Sequence, residues 1–288
     1  MSSPQKRFYA QPSLDHHTGD IWKGLPSNGI LKQPHCTGIV ITPACDLANR
    51  KVETLTYLPI ISIESLFCMR AFYPDVRAAI VSSGKSVSLP LDEILKKNHL
   101  PKRDDVRYIK ELLDDRALAI GSNVGLVRCH AGCELLTEML DLNVHSCDTT
   151  KVPKLFGDKR YEDLKKEIVT NSYSLDLHFL TKDDEDPEWS SVPNHGVVLF
   201  RYPQTAPIEI FDLAQDVTAV DWESVVDELG TRLPFVRSFR DLKPLKTLKL
   251  RDEFLGDLLT RFIALYVRLG SPDLTKENVA QIIQEIGA

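Results

Sequence analysis

GIVITPACDLANRKVETLTYLPI, residues 38–60, decides how this chain is read. Its first five residues and the run from Thr54 to Ile60 are rich in Ile, Val and Thr, which predicts strands over 38–42 and 54–60. Asn49, Arg50 and Lys51 between them suit a connection. The corner carries Cys45-Asp46. A neighbouring carboxylate raises a thiol pKa, so Cys45 would need a base such as His35 folded beside it to act as a nucleophile. Asp46, Cys45 and His35 are the candidate catalytic residues. The plainer reading has Cys45 packing as a small hydrophobe while Asp46 holds an Asx-type turn towards Asn49. Metal ligation and a place in a binding pocket also stay open.

Beyond this corner, apolar spacings of three and four predict helices over 65–72, 91–97, 104–120, 133–142 and 161–169, with Asp104 as an N-cap. β character returns over 175–180, 196–202 and 207–211. A short helix follows over 221–229, then a strand over 235–239. In RDEFLGDLLTRFIALYVRLG, residues Leu255, Leu258, Leu259, Phe262, Tyr266 and Leu269 form one apolar stripe, and a final helix is expected over 275–286. The strands fall in two sets. The expected fold is α+β: a small β-barrel or curved mixed sheet from residues 18–62 and 174–251, with a helical insertion over 63–173. A flexible arm, 1–17, precedes it and two C-terminal helices, 252–288, follow.

With 43% hydrophobic and 26% charged residues in a chain of 288, the composition is that of a soluble globular protein. The longest apolar runs are too short to span a bilayer, and the N-terminus lacks the apolar core of a secretory signal. A cytoplasmic location without membrane attachment is therefore expected. A net charge of −6 disfavours a protein that coats nucleic acid but allows a local basic patch.

Three further clusters carry chemistry. Cys129 and Cys133, with His145 and Cys147, supply two close pairs of N/S ligands, so zinc is a candidate cofactor; buried free thiols are the alternative. Ser83-Gly84-Lys85-Ser86 resembles the end of a phosphate-binding loop, but Ala79 stands where the first glycine is needed, so a turn is expected. Arg232, Arg237, Arg240, Lys243, Lys246 and Lys249 interleave with Phe235 and Phe239 and form a candidate nucleic-acid or nucleotide strip. An extended segment with solvated lysines explains the same pattern. His16 and His17 read as solvated residues of the arm. No catalytic motif names an enzyme class.

Two resemblances are carried by short motifs. Gly19-Asp20-Ile21-Trp22, Val40-Ile41-Thr42-Pro43 and Leu58-Pro59-Ile60 resemble the opening of PemK/MazF-like toxin barrels, which implies a small barrel and RNA cleavage. The arginine those toxins carry ahead of the second strand is absent from Pro34-His35-Cys36-Thr37-Gly38. Thr42-Pro43-Ala44-Cys45-Asp46-Leu47, with Arg261-Phe262 and Arg268-Leu269-Gly270-Ser271-Pro272, is similar to uncharacterised bacterial proteins of defence or conflict systems. That likeness implies a regulatory or binding subunit with a protein partner or nucleotide. A PemK/MazF-like nuclease and a zinc-stabilised nucleic-acid-binding protein are the alternatives.

Overall fold

The structure, a computed structural model, describes residues 8–27, 33–97, 99–121, 123–141, 148–182, 192 and 195–267. Among the described residues, eight strands form one antiparallel sheet: β1 (Tyr9–Ala10), β2 (Asp20–Pro26), β3 (His35–Val40), β4 (Thr54–Ser62), β5 (Leu177–Leu180), β6 (Gly196–Leu199), β7 (Gln204–Pro207) and β8 (Leu245–Leu250). Their order is β1-β8-β2-β3-β4-β6-β5, with β7 also on β4.

The quoted stretch lies at the centre. β3 pairs with β4 from Thr37↔Ile60 to Val40↔Tyr57. On its other side β4 divides, residues 54–57 pairing with β7 and 60–62 with β6. Pro59 falls in the gap between those two ladders, where its missing N–H costs no bond. Opposite it, Gly38 leaves no room for a side chain: a Cβ there would lie 2.8 Å from Leu25 and Tyr57 atoms.

Alternation along the strands gives the sheet two apolar faces. Trp22, Val40, Leu55 and Tyr57 belong to one buried cluster, while Ile21, Ile39, Leu58 and Ile60 belong to the other. The first face is covered by helices. Those between β4 and β5 are α2 (Ile63–Leu66), α3 (Tyr73–Ser86), α4 (Arg103–Ile120), α5 (Val124–Leu140), α6 (Lys151–Phe156) and α7 (Asp158–Val169). α8 (Ile208–Asp216) and α9 (Trp222–Arg232) add to it. The second face is covered by α10 (Asp252–Tyr266), through Leu255, Leu258 and Phe262.

The expected barrel is corrected on this ground. Closure would bury the interior by joining the edge strands, but β1 and β5 end the sheet unpaired to each other and helices bury both faces. The fold is an open antiparallel sheet in a mixed α/β chain.

Other local expectations change for stated reasons. Residues 208–211, expected as strand, begin α8, because Pro207 cannot continue the ladder and Ile210, Phe211 and Ala214 share one helical face. The strand expected over 235–239 is a 3-10 turn that buries Val236 and Phe239, three residues apart. Residues 83–86 are the last turn of α3, and 91–97 are turns. The first turn of α4 is closed by Asp105, which accepts from the Lys102 N–H at 2.8 Å, and not by Asp104. The helix expected over 275–286 lies outside the described residues. Among the described residues, no helix is long and apolar enough to cross a membrane.

Candidate functional site

The Gly19-Asp20-Ile21-Trp22 motif delivers a carboxylate into the interior. Gly19 has φ 89°, and its N–H and C=O bond Val40 and Leu250, which fixes the turn into β2. Asp20 follows with no exposed surface. One of its oxygens accepts the His17 N–H at 2.8 Å and lies 3.3 Å from Lys246 Nζ. Lys246 is 5% exposed in its side chain and lies over the Trp22 ring. It also donates to the carbonyls of Ser13, Leu14 and Asp15 at 3.0, 3.2 and 2.9 Å. Burial pushes Lys246 down and Asp20 up, each opposed by the other's charge. The four acceptors around Lys246 call for all three protons of an ammonium, and the Asp20 carboxylate is its counter-ion. Lys246 thereby fastens residues 13–15 across the sheet.

That fastening places His16. Its ring packs 5.9 Å from Trp22 and 6.3 Å from Phe211, and Nε2 lies 2.9 Å from an Asp212 oxygen on α8. Burial lowers the His16 pKa, with the Asp212 hydrogen bond opposing. The neutral ring donates from Nε2, since a carboxylate can only accept. The second Asp212 oxygen accepts from Arg50 at 3.4 Å. Around these groups lies a cavity of about 280 Å³ lined by residues 14–17, Leu47, Ala48, Arg50, Ile208 and Asp212. Beneath it, His16 Nδ1, Asp20 Oδ1 and Trp22 Nε1 are buried without a hydrogen-bond partner among the described residues. His16 therefore acts on the cavity through Asp212, which it holds in place.

Arg50 comes from the connection in the quoted stretch, just after α1 (Ala44–Ala48). Its φ of 46° is left-handed, a conformation that costs a non-glycine residue on the order of 1 kcal/mol. Arg50→Gly is expected to melt at or above the wild-type temperature, because strain leaves together with an exposed ion pair of small worth. A clear fall in melting temperature would assign Arg50 to the fold instead of the cavity.

The structure separates Asp46 and Cys45 from His35. The first two lie on α1, and His35 starts β3 at its other end, some six residues of strand away. At about 3.3 Å per residue they share no site. The expected Asx-type turn runs in reverse: Asn49 Nδ2 donates to the Cys45 carbonyl at 2.6 Å. Cys45 is exposed and Sγ is 3.6 Å from Asp46 Oδ1.

The basic residues do not form a strip. Arg232 pairs with Glu209, Arg240 with Asp227 and Glu223, and Lys249 with Asp252. Lys246 is internal, the Arg237 stem packs against Gly230, and Lys243 is half-buried at the end of a loop. Phe239 is fully buried and cannot stack on a base, whereas Phe235 is exposed.

Cys129 and Cys133 are free and fully buried between α5 and α3, where Cys129 Sγ lies 3.5 Å from the Ile80 carbonyl. Burial raises their pKa values to about 11 and about 12, so both are thiols. His145 and Cys147 lie outside the described residues. Among the described residues, no group of three or more His, Cys, Asp or Glu is placed to hold a metal.

Sequence reading missed His16, Asp212 and Arg50 as a group. His16 and Asp212 are 196 positions apart, and nothing local to either marks the pairing. The available signal was Gly19-Asp20 with Trp22, an acid opening a strand that is apolar apart from Lys23. Comparison of the chain with protein-family models, with curated proteins and with solved structures found no match in any of the three.

Proposed function

We propose that this chain is a ligand-binding component of a prokaryotic defence-type system, and that its cavity takes a mononucleotide, guanine nucleotides foremost. The carrying observation is the half-exposed Asp212, held from below by buried His16 and from solvent by Arg50. A ligand with an N–H edge can replace Arg50 on Asp212. The released guanidinium then pairs with the ligand's phosphate, so both charges stay compensated. A base edge and a phosphate on one small molecule are the marks of a nucleotide. The defence setting rests on the likeness carried by Thr42, Cys45-Asp46-Leu47 and Arg261-Phe262.

Calorimetric titration with the four common ribonucleoside monophosphates tests this. GMP is expected to bind most tightly. Asp212→Asn should lose about tenfold or more in affinity, the cost of losing a charge-assisted hydrogen bond. Arg50→Ala should weaken GMP, which loses its phosphate partner, but not guanosine, which no longer has to displace the guanidinium. Absence of binding by all four nucleotides, or unchanged binding in Asp212→Asn, would refute the proposal.

A further inference from the structure

A second cavity, about 320 Å³, lies on the other face of the sheet, between the β5 edge, Phe8 and α10. Phe8, Leu180, Leu250 and Phe254 form the apolar part of its wall, with the Phe8 and Phe254 rings 4.4 Å apart, and Asn171, Thr181, Glu253 and Asp257 add polar groups. His178 lines it from β5. This side chain is 6% exposed, stacks 6.2 Å from Phe200, and has Nδ1 buried without a hydrogen-bond partner among the described residues. The nearest carboxylate, Asp257 on α10, is 3.9 Å from Nδ1, beyond hydrogen-bond range, and is itself gripped by Arg261 at 3.0 Å.

A ring with an unmet hydrogen-bonding atom, set beside apolar side chains in the wall of a cavity, is the pattern of a small-molecule site. Its chemistry narrows the occupant. Burial holds His178 neutral, with a pKa lowered to about 4. With the proton on Nε2, the unmet Nδ1 keeps its lone pair and accepts from a ligand's donor. An anion would meet Glu253 and Asp257, which also line the cavity. A cation would find Asp257 already neutralised by Arg261. Cavities of about 150 Å³ hold a benzene ring, so this one has room for a bicyclic ring.

We infer that this cavity binds a small uncharged aromatic compound with one hydrogen-bond donor, of the phenol or indole class. The donor meets His178 Nδ1, and the ring lies among Phe8, Leu180, Leu250 and Phe254. The inference is independent of the nucleotide reading, since the two cavities share no residue.

Ligand-observed NMR and thermal shift on the full chain test it, with indole and phenol as probes, and N-methylindole, toluene and benzoate as controls. Indole and phenol are expected to bind and raise the melting temperature, and GMP should not displace them. N-methylindole, which lacks the donor, should bind about tenfold more weakly, as should indole to His178→Phe. Phe254→Trp, which fills the cavity, should abolish binding of every probe. The inference is overturned if neither indole nor phenol binds, if benzoate binds as well as they do, or if N-methylindole equals indole. The comparison of indole with N-methylindole uses the unaltered protein, so a variant that fails to fold does not leave the question open.

Discussion

Lys246→Met lowers the unfolding free energy by about 3–5 kcal/mol, the expected cost of removing one member of a buried ion pair. Asp20 has no exposed surface, so its charge would remain without a counter-ion, and the carbonyls of residues 13–15 would lose their shared donor. Asp20→Asn should be costly for the mirror reason, because it leaves an ammonium buried beside Trp22. The double variant should recover part of the sum, since no lone charge remains inside. Urea unfolding of the two single variants and the double variant measures the coupling. Single variants within about 1 kcal/mol of wild type and additive in combination would refute a buried, coupled pair. The loss should also reach the cavity proposed for nucleotides, whose wall includes residues 14–17: GMP binding should fall in Lys246→Met even where the chain remains folded.

Acidification provides the second large effect. His178 has a pKa of about 4 in the folded chain against an ordinary value of 6.5, because burial penalises its charged form. Between those two pH values the unfolded chain binds the proton and the folded chain does not. Stability is therefore complete above pH 6.5 and falls as the pH drops towards 4, by about 3 kcal/mol in total. Asp257 and Arg261, the charged groups facing His178 from α10, act in opposite directions, and burial is the largest of the three influences. His16, lowered for the same reason, adds loss of the same sign. Thermal unfolding across this range should show the slope, and His178→Phe should flatten it. An unchanged slope in that variant would mean that His178 is not protonated only on unfolding.

Local reading succeeded where a period reports burial on one side. The two runs of the quoted stretch became β3 and β4 because each alternate residue meets one of two separate apolar clusters. The stripe through Leu255, Leu258 and Phe262 became α10 because a 3.6-residue period lays those side chains on a single sheet face. It failed at α8, where Ile208, Ile210 and Phe211 make an apolar run too short to separate helix from strand. It failed again at the basic residues. Lys246 repeats the spacing of its neighbours, yet β2 and the arm close over it while Lys249 stays near the surface. Cys129 and Cys133 read as ligands by spacing. They stand there because α3 and α5 cross closely, so that a Cβ on Gly132 would come 2.3 Å from Ile80.

By itself, then, the sequence determined the pair of central strands, the amphipathic C-terminal helix and the corner from which Arg50 extends. Those features depend on side-chain periods and turn chemistry over a few neighbouring residues. The open sheet, the charge buried at Asp20 and the joining of His16 to Asp212 were decided only by tertiary structure. Each depends on which distant surfaces exclude water together. That exclusion turns a lysine in a solvated-looking rhythm into a fastener, and a histidine in a polar arm into the support of the Asp212 carboxylate.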